Sequence, residues 1–149
     1  MSAYSRRVQT VRALVVGSVI AANAIQLAAV ESELEAAAAT TRIPQLPRRR
    51  LLQILHTTRA LDSSLREFLT FYGVAPGNSL GAYLTRLRDN NGHPDIAALP
   101  AASRTRFQNQ IVNLRNRYMH EAGAFPASDG ETMQLLSEMH DCLVEVLAL

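Results

Sequence analysis

The sequence predicts an all-α fold, an antiparallel bundle of four long helices with one short extra helix. Apolar residues recur at helical spacing through most of the chain, and no segment sustains an alternating period of two. Ala and Leu dominate, aromatics make up 5%, and Trp is absent. That balance favours helix over sheet. The 149 residues suit a single domain spanning 1–149, and a domain of this size buries about two-thirds of its unfolded surface. A hydrophobic content of 48% excludes a disordered chain.

The first helix is expected from about Val8 to about Ala39, stopped by Pro44 and Pro47. It contains Ala13 to Val30, 18 residues without a charge, preceded by Arg6, Arg7 and Arg12. Ala22-Asn23-Ala24 has the look of a signal-peptidase site. Gly17, Ser18, Asn23 and Gln26 interrupt the apolar run, which continues into Glu31, Glu33 and Glu35. It is also at the short limit for spanning a bilayer. A buried core helix with no membrane partner is therefore expected, a membrane or secretory segment being the alternative.

The second helix starts near Arg48, after Pro47. Leu51, Leu52, Leu55, Leu61, Leu65, Phe68, Leu69 and Tyr72 keep helical spacing up to a natural cap at Gly73. A short helix from about Ser79 to Arg88 follows. Asp89-Asn90-Asn91-Gly92-His93-Pro94 then breaks the chain, being almost all turn residues. The third long helix is expected from about Ala101 to Glu121, stopped by Gly123 and Pro126. Ser128 and Glu131 form a capping box for the last helix. Met133, Leu136, Met139, Leu143 and Leu147 are its apolar stripe.

The net charge of +2 hides an asymmetry. Residues 1–120 carry all 15 basic residues, every one an Arg, and seven acids; residues 121–149 carry six acids and no base. A basic body suits an anionic partner such as RNA, and a mixed surface with an acidic last helix explains the count equally well. Cys142 is the only cysteine. It permits no intrachain disulfide or thiolate cluster, and a reducing, cytoplasmic compartment fits best. His140 and Cys142 lack ligand-pair spacing, so neither metal nor cofactor is expected. Gly-rich phosphate loops and Ser or Cys nucleophile motifs are absent.

The strongest candidate for chemistry is Arg115-Asn116-Arg117-Tyr118-Met119-His120. Arg88 to His93 and Arg50 to His56 have similar spacing, so context decides between them. Arg88 and His93 flank an Asn-Asn-Gly turn. His56 lies in an apolar helix and reads as a partly buried structural histidine. On a wheel of about 100° per residue, Phe107, Ile111, Leu114, Tyr118 and Ala122 form the core face of the third helix. Gln108, Asn109, Val112, Arg115, Asn116, Met119 and His120 fall opposite, over an arc of about 140°. Val112 and Met119 are apolar on this otherwise polar face, and a second subunit packing there would bury them. The segment reads otherwise as a solvated helix end, where the dipole favours a cationic His120 and Arg115 pairs with an acid of the last helix.

Arg-Asn-x-x-x-His resembles the signature of HEPN domains, an Arg and a polar residue followed after four to six intervening residues by a His. A compact helical domain with the motif late in the chain is also similar to that family. The resemblance implies a homodimer, catalytic Arg115 and His120 and a supporting Asn116; the helical wheel, not the resemblance, places Val112 and Met119 at the dimer interface. It implies RNA as substrate, cleaved without metal, in a toxin-antitoxin or phage-defence setting with an antitoxin as possible partner. Other members are non-catalytic interaction modules. The residue types suit RNA cleavage: His moves protons near neutral pH, and Arg grips phosphate oxygens through paired hydrogen bonds. Arg48-Arg49-Arg50 offers further phosphate contacts or a solvated helix start.

Overall fold

A computed structural model describes the whole chain except Asn91. Asn91 belongs to the turn expected at residues 89–94, and its part in that turn lies outside the described residues. The described residues are all-helical, with no strand among them. Helices α1 (Ala3–Val16), α2 (Ala24–Ala39), α3 (Leu46–Phe71), α4 (Leu80–Asp89), α5 (Ala101–Phe107), α6 (Asn113–His120) and α7 (Asp129–Leu147) follow in order. A π turn, Gln108–Val112, joins α5 to α6.

The single first helix expected from Val8 to Ala39 is two helices. Gly17 ends α1, and the Ser18 hydroxyl accepts from the Ile20 N–H at 3.2 Å while donating to the Val15 carbonyl at 2.7 Å. A short 3-10 turn, Val19–Ala22, follows. Asn23 Oδ1 then accepts from the Gln26 N–H at 3.2 Å and starts α2. Short polar side chains offer the backbone alternatives to helix, and two of them in six residues end one helix and start another. Asn23, the centre of the signal-peptidase-like triplet, is thus a helix cap. The uncharged stretch is divided, and among the described residues no helix is long and apolar enough to cross a membrane.

The other helix ends follow the expected signals. Pro47 sits in the first turn of α3. Past its end, Gly73 has φ 73°, and the Val74 N–H returns to the Leu69 carbonyl at 2.9 Å, the Schellman arrangement that satisfies a free carbonyl. Ser128 caps α7 by accepting from the Glu131 N–H at 3.3 Å. The Glu131 carboxylate reaches back to the Ala127 N–H at 2.9 Å, one residue short of the expected box.

Helix α3 packs against α2, α4, α6 and α7, and α1 packs against α2 and α7. Their apolar faces meet in one cluster that includes Val11, Leu34, Leu61, Leu65, Phe68, Leu84, Phe107, Ile111, Leu136 and Leu143. Cys142 is fully buried in it, and burial, ahead of its acidic neighbours, pushes the thiol up. It stays protonated and unreactive.

At the edge of this core the Glu138 side chain, 8% exposed, takes the Arg106 guanidinium at 2.9 and 3.1 Å. Arg106 also reaches Asp141 at 2.7 Å, and Gln134 donates to Glu138 at 3.3 Å. Arg106→Met strips a nearly buried carboxylate of its counter-charge. It should cost about 2 kcal/mol in chemical denaturation, below the usual figure for a buried pair because water reaches Arg106. The double change Arg106→Met with Glu138→Leu should recover most of that loss.

Candidate functional site

The segment carrying Arg115 to His120 is set by the π turn before it. Such a turn holds one residue more than the α-helix needs, so everything after it lags by about 100°. Gln108 Nε2 donates to Asn113 Oδ1 at 2.8 Å, and Asn113 Nδ2 donates to Asn109 Oδ1 at 3.2 Å. These polar side chains brace the widened turn. Phe107 before it and Ile111 within it face the core as the wheel expects. Val112, the last residue of the turn, is buried as well, and Arg115 and Met119, three and seven residues on, are half-buried.

This overturns the basis for a dimer contact at Val112, which is only 6% exposed. Its own chain buries it; the straight-helix wheel put it outside because it carried no phase slip. Met119 is half-buried against the same core, and Leu114 and Tyr118, which the wheel placed on the core face, are half-buried too. Tyr118 turns its hydroxyl out to the Glu131 carboxylate at 3.0 Å.

Arg115 is half-buried and borders two adjoining clefts of about 300 and 130 Å³. Asp62 of α3 borders both. Asn78, Ser79, Gln108 and Asn116 supply further polar lining to the larger one. Arg115 Nη1 donates to Asn116 Oδ1 at 3.1 Å. Asp62 accepts from the Tyr83 hydroxyl at 3.3 Å. Burial, and then the Asp62 carboxylate, push the Tyr83 phenol up, keeping it a donor. The arrangement is a guanidinium held at the mouth of a polar cleft, with an acid and several neutral hydrogen-bonding groups around it. It can accept an anion with polar substituents, such as a phosphodiester with its ribose hydroxyl.

His120, in the last turn of α6, is exposed. Its ring makes no hydrogen bond or ion pair among the described residues. Asn116 is exposed one turn before it, on the neighbouring stripe. Arg115 and His120, five residues apart, diverge by about 140°. One chain therefore presents Asn116 and His120 together, with Arg115 beside them and turned towards the cleft. The alternative pairing of Arg115 with an acid of α7 is not what the structure holds; the acid beside its clefts is Asp62 of α3.

The histidines of the two look-alike segments are engaged within the chain. His56 Nδ1 lies 2.8 Å from Glu33. His93 Nδ1 accepts from the Asp95 N–H at 3.1 Å, so Nε2 bears the proton and donates to the Tyr72 carbonyl at 2.9 Å. Both hold elements together, and neither of the look-alike Arg-to-His segments presents a free pair. Among the described residues no three His, Cys, Asp or Glu side chains converge as a metal-ligand set.

Two of the three arginines singled out for RNA are engaged within the chain. Arg50 donates to Asp129 Oδ1 at 3.0 Å and to the Ala127 carbonyl at 3.3 Å, and Arg49 donates to both Asp129 oxygens at 3.2 and 3.3 Å. Their side chains are 15% and 20% exposed. They clamp the start of α3 to the start of α7, which corrects their reading as a phosphate-binding run. Arg48 alone remains exposed.

Arg50 first, then Arg49, hold the Asp129 carboxyl below the usual carboxylate range. A carboxyl depressed on folding stabilises the protein above its unfolded pKa and loses that contribution as pH falls through the folded value. Wild-type thermal stability should therefore drop below about pH 4 more steeply than that of Asp129→Asn. Equal slopes in melting temperature against pH would show that the clamp contributes nothing.

Comparison with family models, with curated proteins and with solved structures returned no match. What the site does is therefore argued from its own residues. Asp62 is the group that the sequence alone did not single out. Its only signal was an acid placed next to Leu61 on a strongly apolar helix.

Proposed function

We propose that the chain is a HEPN-like, metal-independent endoribonuclease that cleaves RNA as a homodimer in the cytoplasm, with its helices arranged as an antiparallel bundle. The observation that carries this reading is the free, exposed His120 one turn from Asn116, beside a guanidinium at the mouth of a polar cleft. Arg115 holds the scissile phosphate. One His120 takes the proton from the ribose 2′-hydroxyl, whose oxygen attacks phosphorus. A second His120 protonates the departing 5′-oxygen. The products are a 2′,3′-cyclic phosphate and a 5′-hydroxyl.

One chain supplies one such histidine, and a two-fold axis at the α6 ends supplies the second. The dimer face then consists of the exposed motif residues and their neighbours, without Val112. Phe125, five residues past His120 and 46% exposed, adds apolar area that a second copy would cover. The setting implied by the family resemblance is a toxin-antitoxin or phage-defence system with an antitoxin partner.

A second reading, a non-catalytic HEPN-like interaction module, is favoured by the divergence of Arg115 from His120 within the chain. Incubating the purified protein with RNA under a chelator, and sizing it by sedimentation, separates the two. Cyclic-phosphate ends from a dimer support the nuclease. A dimer without cleavage of any RNA class supports the module.

A further inference from the structure

A cleft of about 500 Å³ opens between the start of α1, the first turns of α3 and the first turn of α7. Tyr4, Arg49, Gln53, Asp129, Thr132 and Met133 are among its lining residues, and none of Arg115, Asn116 and His120 borders it. Gln53 is 5% exposed, yet its Oε1 is buried with no hydrogen-bond partner. The Tyr4 hydroxyl is buried and unpartnered as well. Buried polar atoms are nearly always satisfied, so two orphans bordering one cleft call for a common partner.

The charges around the cleft are already matched. Asp129 takes Arg49 and Arg50, Glu131 takes the Ala127 N–H and the Tyr118 hydroxyl, and Ser128 caps the helix. Among the lining residues one arginine, Arg49, faces one acid, Asp129, which leaves no net charge to attract an ion. The volume lies in the range of small-molecule sites. The Tyr4 ring, Ala3 and Met133 give the cleft an apolar wall. Burial pushes the Tyr4 phenol up, so it remains an O–H donor.

We propose that this cleft binds an uncharged, flat molecule with a cyclic-amide edge, of nucleobase size. Its N–H donates to Gln53 Oε1, its carbonyl accepts from the Tyr4 hydroxyl, and its ring lies against the apolar wall. Such an edge presents a donor and an acceptor side by side, the pattern that the two orphaned groups lack.

Calorimetric titration with uracil and with hypoxanthine tests this. At least one should bind saturably, while 1,3-dimethyluracil, which has no N–H, should bind about tenfold more weakly or not at all. Gln53→Met and Tyr4→Phe should each weaken binding about tenfold, and each should leave the ligand-free melting temperature unchanged or higher, because an orphaned polar atom has gone. Absence of binding by both probes overturns the proposal. So does equal binding by the wild type and both variants. A melting temperature lowered in both variants, without binding by the wild type, would assign the two groups to ordered water instead.

Discussion

His120→Ala is expected to lower RNA cleavage by about a hundredfold or more, the usual contribution of a positioned proton-transfer group. The ring makes no hydrogen bond or ion pair among the described residues and sits exposed at a helix end. Its removal should therefore leave the melting temperature within about 1 °C of wild type, as for most surface changes. That separation of activity from stability marks a catalytic rather than a structural histidine. Arg115→Ala should be comparably severe, because the phosphate loses its charge-assisted bonds. Arg115→Lys should restore little, since an ammonium does not reproduce the paired geometry. Asn116→Ala should cost less, as Asn116 orients Arg115 through one hydrogen bond. His93→Ala and His56→Ala should behave oppositely. Each breaks hydrogen bonds within the chain, with Tyr72 and Asp95 or with Glu33, and should lower stability while leaving cleavage by the folded fraction near wild type. Mixing His120→Ala with Arg115→Ala should restore no activity, because the heterodimer keeps a single His120 and the reaction uses two. Cleavage that survives His120→Ala removes the nuclease reading.

The helix ends were legible because their signals are local. Pro47, Gly73 and Ser128 act on the backbone within a few residues, and a linear reading sees them. Two features escaped for different reasons. The break at Ser18 and Asn23 was hidden because both are also tolerated inside helices, and only the side-chain bonds to Ile20 and Gln26 reveal them as starts. The π turn escaped because it changes phase without changing composition. Its trace was nevertheless present: Val112 and Met119 stood on the wrong side of a straight wheel. An apolar pair displaced by one common angle reads as a second surface or as a phase slip, and the burial of Val112 favours the slip. The site divides in the same way. Arg115, Asn116 and His120 share one helix and could be found together. Asp62 borders the clefts of Arg115 from α3, and Asp129 reaches Arg49 and Arg50 from α7. Pairings across the fold leave no mark in residue spacing.

The phase slip carries its own expected result. Val112→Arg should destabilise the chain by about 4 kcal/mol, since it replaces a buried apolar side chain with a charge. Val112 is 6% exposed, and it borders the polar cleft shared with Arg115. A new guanidinium turned into that cleft meets a like charge. The melting temperature should fall by roughly 8–16 °C for a domain of this size, at every protein concentration. Val112→Ala should lose about 2 kcal/mol, from a small cavity without a buried charge. A residue that only joined two subunits would behave differently. Its Arg variant would be a well-folded monomer, and the loss of stability would grow on dilution. Thermal unfolding across a hundredfold range of concentration, with sedimentation at each end, distinguishes the cases. A folded monomer with wild-type melting behaviour would put Val112 back on the surface and remove the π turn's hold on the direction of Arg115.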